Sequence, residues 1–567
     1  MKPILWVALC TLNSKYIHSS LAPWYLLSGI ENYCKPGIIA EVIEGTINED
    51  LESVARRILA NRPQVIGFSC YIWNIEATKQ LVRLVKDKLP EAVIVLGGPE
   101  VSYNAADILQ EEPLVQYVVS GEGEEPLAML LNCLYHNAVT RHIPGVNSRA
   151  GDELISATPY VTANDPPSPY TEKYFNALKS RIAYLETSRG CPYSCAFCLS
   201  GFGQVRYFSL ERAKKELLML ANSGTQTVKL VDRTFNANRS RAVELISFIL
   251  EHYGNRIPEG VCFHFEIAGD ILDEAILGLL AAAPAGLFQV EIGMQSFNEK
   301  TLTAIRRKTN VERLKNNIRQ IVANGNIHVH LDLIAGLPHE DLSSFAASFN
   351  TAYDLKPNML QLGFLKLLHG SQMREEPENY PCRFNKRAPY EVLETPWLSH
   401  EELRYLKRTE DALERLYNSG RFRRTLAYLL ERLNIKPFEL FAQFGEYLAA
   451  KGADRISLND FIALVLVYFS SQPGIDKTAL RDMLVCDYLA TNSSGRLPVV
   501  LQVKDPALKA TKQQLKRVDA TFPQHRGRRG IALLYAEPSI VYAYYQDPNP
   551  VTGEYPLIKI AKEALGL

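Results

Sequence analysis

Three cysteines fall within eight residues, in the segment Glu186-Thr-Ser-Arg-Gly-Cys-Pro-Tyr-Ser-Cys-Ala-Phe-Cys198. Cys191, Cys195 and Cys198 thus stand in a C-x3-C-x2-C spacing. Three thiolates on one short loop can hold three irons of a cubane [4Fe–4S] cluster, and an all-cysteine cluster needs a fourth. No fourth cysteine lies nearby, which leaves one iron open to a chelating ligand. Gly190 and Pro192 suit a loop folded tightly around an inorganic core. The competing readings are a zinc knuckle and a chance spacing. Structural zinc takes four ligands, and the nearest histidine, His142, belongs to a different segment. The chain holds ten cysteines. Cys10, Cys34, Cys70, Cys133, Cys262, Cys382 and Cys486 are scattered and read as small buried hydrophobes, not as a disulfide framework.

Other residues with chemical reach stand at the ends of apolar runs. Val231-Asp-Arg-Thr-Phe-Asn236 offers Asp232, Arg233 and Asn236, and an arginine there can meet a carboxylate. Glu266, then Glu291 and Gln295, close later runs, and Asp332-Leu-Ile-Ala-Gly-Leu-Pro338 brings Gly336 after another. Nearer the start, Val93-Ile-Val-Leu-Gly-Gly-Pro99 supplies Gly97 and Gly98, and Tyr117-Val-Val-Ser-Gly-Glu-Gly-Glu124 supplies Gly121 and Gly123. Such glycines let backbone approach a flat or bulky ligand closely. Ser69, in Gly67-Phe-Ser-Cys, is placed to donate to a buried polar group.

The elements that must position these residues follow from periodicity. Ile4–Leu9, Glu41–Ile47, Val65–Cys70, Val93–Leu96 and Tyr117–Val119 are β-branched-rich runs separated by helix-period segments Ser20–Asn32, Leu51–Asn61 and Glu76–Lys88. This alternation predicts a Rossmann-like, doubly wound α/β domain with ligands at the carboxyl ends of its strands. Residues 150–175 turn polar and proline-rich, as a linker does. A second series follows, with strands at Tyr184–Thr187, Thr227–Val231, Cys262–Ile267, Phe288–Gly293, His328–Ile334 and Met359–Leu365, and helices such as Leu210–Asn222, Arg239–His252, Val311–Ala323 and Leu342–Asp354. Six βα units fit a partial (β/α)6 barrel whose functional groups sit on the loops after the strands. Beyond residue 370 helices dominate to Asn492. Ser399-x-x-Glu402 and Ser457-x-x-Asp460 read as helix-starting capping boxes, and Gly420 is placed to end the first helix. Ile531–Ala536, Ile540–Gln546 and Tyr555–Ile560 read as a small β-meander. The expected domains are 1–145, a linker at 146–180, the barrel at 181–370 and a C-terminal domain at 371–567.

The cysteine segment resembles the radical S-adenosylmethionine (SAM) superfamily, where an aromatic residue such as Phe197 commonly precedes the last cysteine. That resemblance implies that the open iron binds the amino and carboxylate groups of SAM, and that one electron from the cluster yields a 5′-deoxyadenosyl radical. It further implies that Asp232, Arg233 and Asn236 lie where the methionine moiety is held and that Glu266 contacts adenosine. Residues 332–338 resemble the adenine-contacting region of this family and its coproporphyrinogen-oxidase-like branch. Residues 1–145 resemble cobalamin-binding domains, in which a serine such as Ser69 meets the lower nucleotide and a glycine pair lines its channel. The D-x-H-x-x-G motif that supplies a cobalt ligand is incomplete here: the loop reads Tyr16-Ile-His-Ser-Ser-Leu21, so a loop or packing role for His18 is favoured over that of a cobalt ligand. Residues 371–567 are similar to an uncharacterised domain that follows some cobalamin-type radical enzymes, through Lys366-Leu-Leu-His-Gly-Ser371 and Ala388-Pro-Tyr-Glu-Val-Leu393.

Lys+Arg and Asp+Glu both number 62, so no broad basic field marks the chain for nucleic acid. Arg526, Arg528 and Arg529 read as solvated surface. Ile4–Leu9 is too short for a secretory signal, and the uncharged stretch Ala275–Val290 is broken by Pro284 and Gly286, so no membrane partner is expected and the setting is cytoplasmic. The leading function is cobalamin-dependent methylation of an unactivated carbon in an unknown small-molecule or peptide substrate, with a flavodoxin or ferredoxin as electron donor. The runner-up keeps the [4Fe–4S] cluster, SAM and cobalamin but performs a cyclisation, rearrangement or oxidation. Methylthiolation of transfer RNA would call for a second cysteine triplet before residue 150, and Cys10, Cys34, Cys70 and Cys133 are widely spaced. A non-catalytic cobalamin or metal sensor is the remaining class.

Overall fold

The computed structural model describes residues 4–561, apart from 152, 202, 203, 507 and 509–528. Arg526 and Arg528 therefore lie outside the described residues. The chain divides into two compact units. One comprises Met1–Ala268, Thr303–Lys308 and Phe364–Pro396; the other comprises Gly269–Leu302, Thr309–Gly363 and Trp397–Leu567.

The first unit opens with a seven-stranded sheet, built from β1 (Leu5–Asn13), β2 (Ile38–Thr46), β3 (Val65–Ser69), β4 (Val93–Gly97), β5 (Tyr117–Val119), β6 (Val146–Ala150) and β7 (Glu153–Ile155). Its order is β2-β1-β3-β4-β5-β6-β7. The first five strands are parallel, and β6 and β7 add antiparallel at the edge. Because β1 lies between β2 and β3, the connections leave it in opposite directions and open a crevice beyond its carboxyl end. Helices cover both faces, so β3 is buried along its whole length and reads as an unbroken apolar run. Helix Ile75–Lys88 buries Ile75, Thr78, Leu81, Val82 and Val85, a 3.6-residue repeat. Leu81 is fully buried against Ala8, Ile66, Ile94 and their neighbours, and its truncation to alanine costs about 2–5 kcal/mol.

Five further strands of this unit carry the cysteine segment: β8 (Ala183–Leu185), β9 (Ser188–Arg189), β10 (Arg206–Tyr207), β11 (Thr227–Leu230) and β12 (Cys262–Glu266). β11 pairs in parallel with β8 on one side and β12 on the other. β9 and β10 form a short antiparallel ladder that closes the base of the cysteine loop. Helices Leu210–Ala221 and Arg239–His252 are started by Ser209 and Asn238, whose side chains accept the backbone N–H of Arg212 and Arg241.

The second unit holds β13 (Phe288–Gln295), β14 (His328–Ala335) and all but the last residue of β15 (Met359–Phe364). β13 and β14 are parallel, with a register slip between Gly293 and Gln295, and β15 lies beside β14. Its C-terminal part is helical through Thr491. Ser399 and Glu402 form a complete capping box, and Ser457 caps Leu458–Ser470 through the N–H of Asp460. The helix His400–Leu413 passes through a π-turn at Glu414–Asn418 before Gly420 reverses the chain at φ 68°. Arg529–Leu534, Ser539–Tyr544 and Leu557–Ala561 then pair antiparallel in sequence, the expected meander. Among the described residues no helix is long and apolar enough to cross a membrane.

Candidate cofactor site

Every residue of the cysteine loop lies in the first unit. Gly190 turns the chain out of β9 with φ 97°, where a Cβ would stand 3.0 Å from the Gln204 carbonyl oxygen. All three cysteines are free thiols, Cys195 buried and the others half-buried. Each sulfur has a polar partner among the described residues. Cys191 Sγ lies 3.5 Å from Thr234 Oγ1, Cys198 Sγ accepts from the Ser200 N–H at 3.4 Å, and Cys195 Sγ accepts from Arg307 Nη1 at 3.8 Å. Burial pushes the Cys195 thiol up, and the Arg307 guanidinium opposes that shift. The loop is pinned at Ala196, whose N–H donates to the Ile305 carbonyl and whose carbonyl accepts from Met373 N–H, each at 3.0 Å. Three soft donors on one pinned loop fit a cluster that takes three protein ligands. The other cysteines do not resemble them: Cys70 is buried in the sheet core with its thiol pushed up to about 12, and burial raises Cys34, Cys262 and Cys486 to about 11.

Below the loop, a cavity of about 1020 Å³ opens at the carboxyl ends of β1, β3, β4 and β5, walled by Asn13, Ser69, Gly97, Gly98, Gly121 and Gly123. That volume is at the upper end of small-ligand sites, which suits a bulky cofactor. Asn74 ties the rim together: it is fully buried, and its Nδ2 donates to the carbonyls of Leu12 at 3.1 Å and Ser69 at 3.0 Å. The glycines are not equivalent. Gly98 has φ 107°, and a Cβ there would meet the Cys70 carbonyl oxygen at 2.5 Å, so the fold itself demands glycine. Gly121 likewise crowds the Tyr160 carbonyl oxygen, at 2.2 Å. Gly97 differs. Its Cβ would make only ordinary contact, 3.5 Å from Val119 O, yet the residue lines the cavity. Among the described residues only Val119 comes within 4 Å of the place its side chain would take.

The cavity's other wall is charged, and it joins the cysteine segment to the Tyr117–Glu124 segment. Arg189 bonds Glu122 at 2.8 Å, Glu124 at 2.6 Å and Glu186 at 3.0 Å, and Arg206 also reaches Glu122 at 2.8 Å. Burial pushes the Glu186 carboxyl up, and Arg189 pulls it back. Asp232 is buried behind this wall, accepting from Thr187 N–H at 2.7 Å, Thr187 Oγ1 at 2.5 Å and Ser188 N–H at 3.0 Å. Asn236 exchanges two 2.8 Å bonds with the backbone of Ala268. Both side chains therefore fix loops. Arg233 is exposed on the cavity wall, and among the described residues no carboxylate pairs with it. His18 also borders the cavity; its Nδ1 lies 2.7 Å from the Tyr184 hydroxyl and the two rings stack.

Glu266 ends β12. In the second unit, Gln295 ends β13 with φ 71° and Gly336 follows β14 with φ 91°. Glu291 does not close its strand; it stands within β13, its Oε2 4.0 Å from His330 Nδ1, while His330 Nε2 lies 2.9 Å from Asp332 Oδ1. The sequence reading missed two residues. Arg307 stands 112 positions from its sulfur partner, and no local pattern marks it. Glu340 is fully buried, accepts from Ser296 Oγ at 2.6 Å and Ser348 Oγ at 3.0 Å, and is pushed up to about 7 by burial.

Three family descriptions match this chain: the B12 binding domain over residues 11–131, the Radical SAM superfamily over 185–352, and Protein of unknown function (DUF4080) over 378–526. The chain is 30% identical over 311 residues to the 2-(S-pantetheinyl)-carbapenam-3-carboxylate methyltransferase of Streptantibioticus cattleyicolor, covering 50% of this chain and 44% of that protein. It is 24% identical over 325 residues to the anaerobic magnesium-protoporphyrin IX monomethyl ester cyclase of Cereibacter sphaeroides, covering 54% and 52%. It thus spans about half the length of these curated relatives. The solved structure of the cobalamin-dependent S-adenosylmethionine radical enzyme OxsB, with aqua-cobalamin and S-adenosylmethionine bound, shares the fold with a TM-score of 0.57 and 15% identity, covering 92% of this chain and 81% of that one. The chain carries a B12-binding domain, a radical SAM domain and a DUF4080 region, in that order.

Proposed function

We propose that this chain is a cobalamin-dependent radical SAM methyltransferase acting on an unactivated carbon of a small-molecule or peptide substrate. The observation that carries the reading is a shared wall: Arg189, Gly190, Leu199 and Ser200 flank the three cysteines and also line the glycine-rimmed cavity. When bound, the cluster and SAM supply hydrogen abstraction and cobalamin supplies a methyl group. Cys191, Cys195 and Cys198 hold the cluster. Gly97, Gly98, Gly121, Gly123 and Ser69 receive cobalamin, with residues 1–145 as its domain and 181–370 as the radical SAM core. Arg233 offers a guanidinium to the methionine carboxylate. Asp232 and Asn236 act one step back, by holding the loops on either side of it. Leu26, Leu127, Val161 and Trp73 line the cavity and exclude water from the reacting groups. The assignment of Glu266, Glu291, Gln295 and Gly336 to SAM rests on the family resemblance. An electron donor of the flavodoxin or ferredoxin class and a cytoplasmic setting complete the reading.

A second reading, cyclisation or rearrangement with the same cofactors, is supported by the likeness to the cyclase. Product analysis separates the two. Anaerobic turnover of reduced, cobalamin-loaded protein with SAM and substrate yields S-adenosylhomocysteine together with 5′-deoxyadenosine if methyl is transferred. Formation of 5′-deoxyadenosine and product without S-adenosylhomocysteine selects the second reading. Absence of SAM cleavage favours a sensor.

A further inference from the structure

The three cysteine sulfurs face three different partners. Cys191 neighbours a neutral hydroxyl, Cys198 accepts from a backbone N–H, and Cys195 accepts from the guanidinium of Arg307. Only the last partner carries a full charge. Cys195 is also the most enclosed of the three, at 8% exposure. A charge there is screened least by water.

The placement of Arg307 is built in. Ile305, two residues before it, is fully buried and its carbonyl accepts from the N–H of Ala196, the residue after Cys195. Arg306 between them takes the left-handed conformation at φ 57°, and the carbonyl of Ala304 accepts from the Tyr380 hydroxyl at 3.3 Å. The segment 304–307 is therefore fastened to the loop at the cysteine it serves.

We infer that Arg307 tunes the iron–sulfur cluster, donating to Cys195 Sγ so that its charge favours the one-electron-reduced state over the oxidised one. Reduction adds one electron from an external donor to the cluster and breaks no bond to the protein. The added negative charge resides on the iron–sulfur core and its thiolates, where a nearby cation stabilises it. Hydrogen bonds to the sulfurs, net charge and solvent exposure are the levers that set such potentials. Arg307 is a positioning residue in this account, acting on the substrate only through the cluster.

The inference rests on the cluster reading, and the test separates the two. Wild-type, Arg307→Gln and Arg307→Lys full-length proteins are reconstituted anaerobically, assayed for iron and sulfide, and titrated with mediators while the reduced cluster is followed by electron paramagnetic resonance. Arg307→Gln is expected to assemble the cluster and to need a potential more negative by about 59 mV, a tenfold shift in a one-electron equilibrium. Arg307→Lys is expected to recover at least half of that shift. Thr234→Val, which removes the neutral neighbour of Cys191, is expected to shift the potential less than Arg307→Gln does. Equal potentials in wild type and Arg307→Gln overturn the inference while leaving the cluster reading intact. Loss of the cluster in both Arg307 variants also overturns it, because the residue is then structural. Wild-type protein that binds no cluster overturns both.

Discussion

Gly97 and Gly98 are neighbours in sequence, yet the structure gives opposite expectations for them. Gly98 holds φ 107° and ψ 171°, a region essentially reserved for glycine, and a Cβ there meets the Cys70 backbone at 2.5 Å. Backbone cannot yield as a flexible side chain would. Gly98→Ala therefore combines about 1–3 kcal/mol of conformational cost with a clash of similar size, about 3 kcal/mol or more in all. Gly97 has ordinary backbone geometry, and its Cβ would lie no closer than 3.5 Å to its neighbours. Gly97→Leu should fold normally and push its side chain into the cavity. Overpacking a site that fits its ligand costs about 1–3 kcal/mol, roughly a tenfold to hundredfold loss of cobalamin affinity. The assay pairs chemical denaturation with corrinoid retention after anaerobic gel filtration, read by absorbance. The expected outcome is a destabilised Gly98→Ala and a stable Gly97→Leu that releases cobalamin yet keeps its iron. A Gly97→Leu protein that retains cobalamin as wild type does refutes the placement of that cofactor.

Three further outcomes follow from the geometry. Alanine at Cys191, Cys195 or Cys198 should abolish the cluster and, with it, SAM cleavage, while the far-ultraviolet circular dichroism stays unchanged; iron analysis checks the first and product analysis the second. Arg189→Met leaves Glu122, Glu124 and Glu186 without their shared cation, and breaking a buried pair costs about 3–5 kcal/mol, so its denaturation midpoint should fall well below that of the exposed-pair control Arg383→Met. Glu340 carries a carboxyl pushed up to about 7 from an ordinary 4.5. The folded state then holds its proton more tightly than the unfolded chain does. That contribution is complete below pH 4.5, is lost as the pH rises to 7, and amounts to about 3 kcal/mol at 1.36 kcal/mol per unit. Glu340→Gln should flatten the fall in stability across this window, and parallel curves for the two proteins contradict the assignment.

The elements legible in the sequence are those whose signal is local. Arg239–His252 and Leu342–Asp354 are legible to the residue from their apolar repeat, and the structure starts each on a capping side chain, Asn238 and Asp341. β3 and β4 announce themselves as continuous apolar runs between turn residues. The cysteine loop is legible for the same reason, since its three cysteines span eight residues. The strands β6 and β7 went unread: they are short, and Asn147, Arg149 and Glu153 break the apolar pattern, so pairing with β5 decides them. The parts of the site that sequence cannot reveal are contacts over long separations. Arg189 reaches Glu122 across 67 positions and Arg307 reaches Cys195 across 112. Tyr390, in the C-terminal segment, donates to buried Glu100 across 290 positions, just beyond the glycine pair. The glycine pair itself was visible, but not that Gly98 answers to the backbone of Cys70 whereas Gly97 leaves room for a ligand.

The central claim is that three sulfurs hold an iron cube whose remaining corner accepts SAM. Mössbauer spectroscopy of protein reconstituted with ⁵⁷Fe, recorded before and after addition of SAM, addresses it directly. The account predicts that one iron site changes its parameters on adding SAM while the thiolate-bound irons keep theirs. A spectrum in which SAM leaves every iron unchanged, or one that contains no cubane cluster, contradicts it.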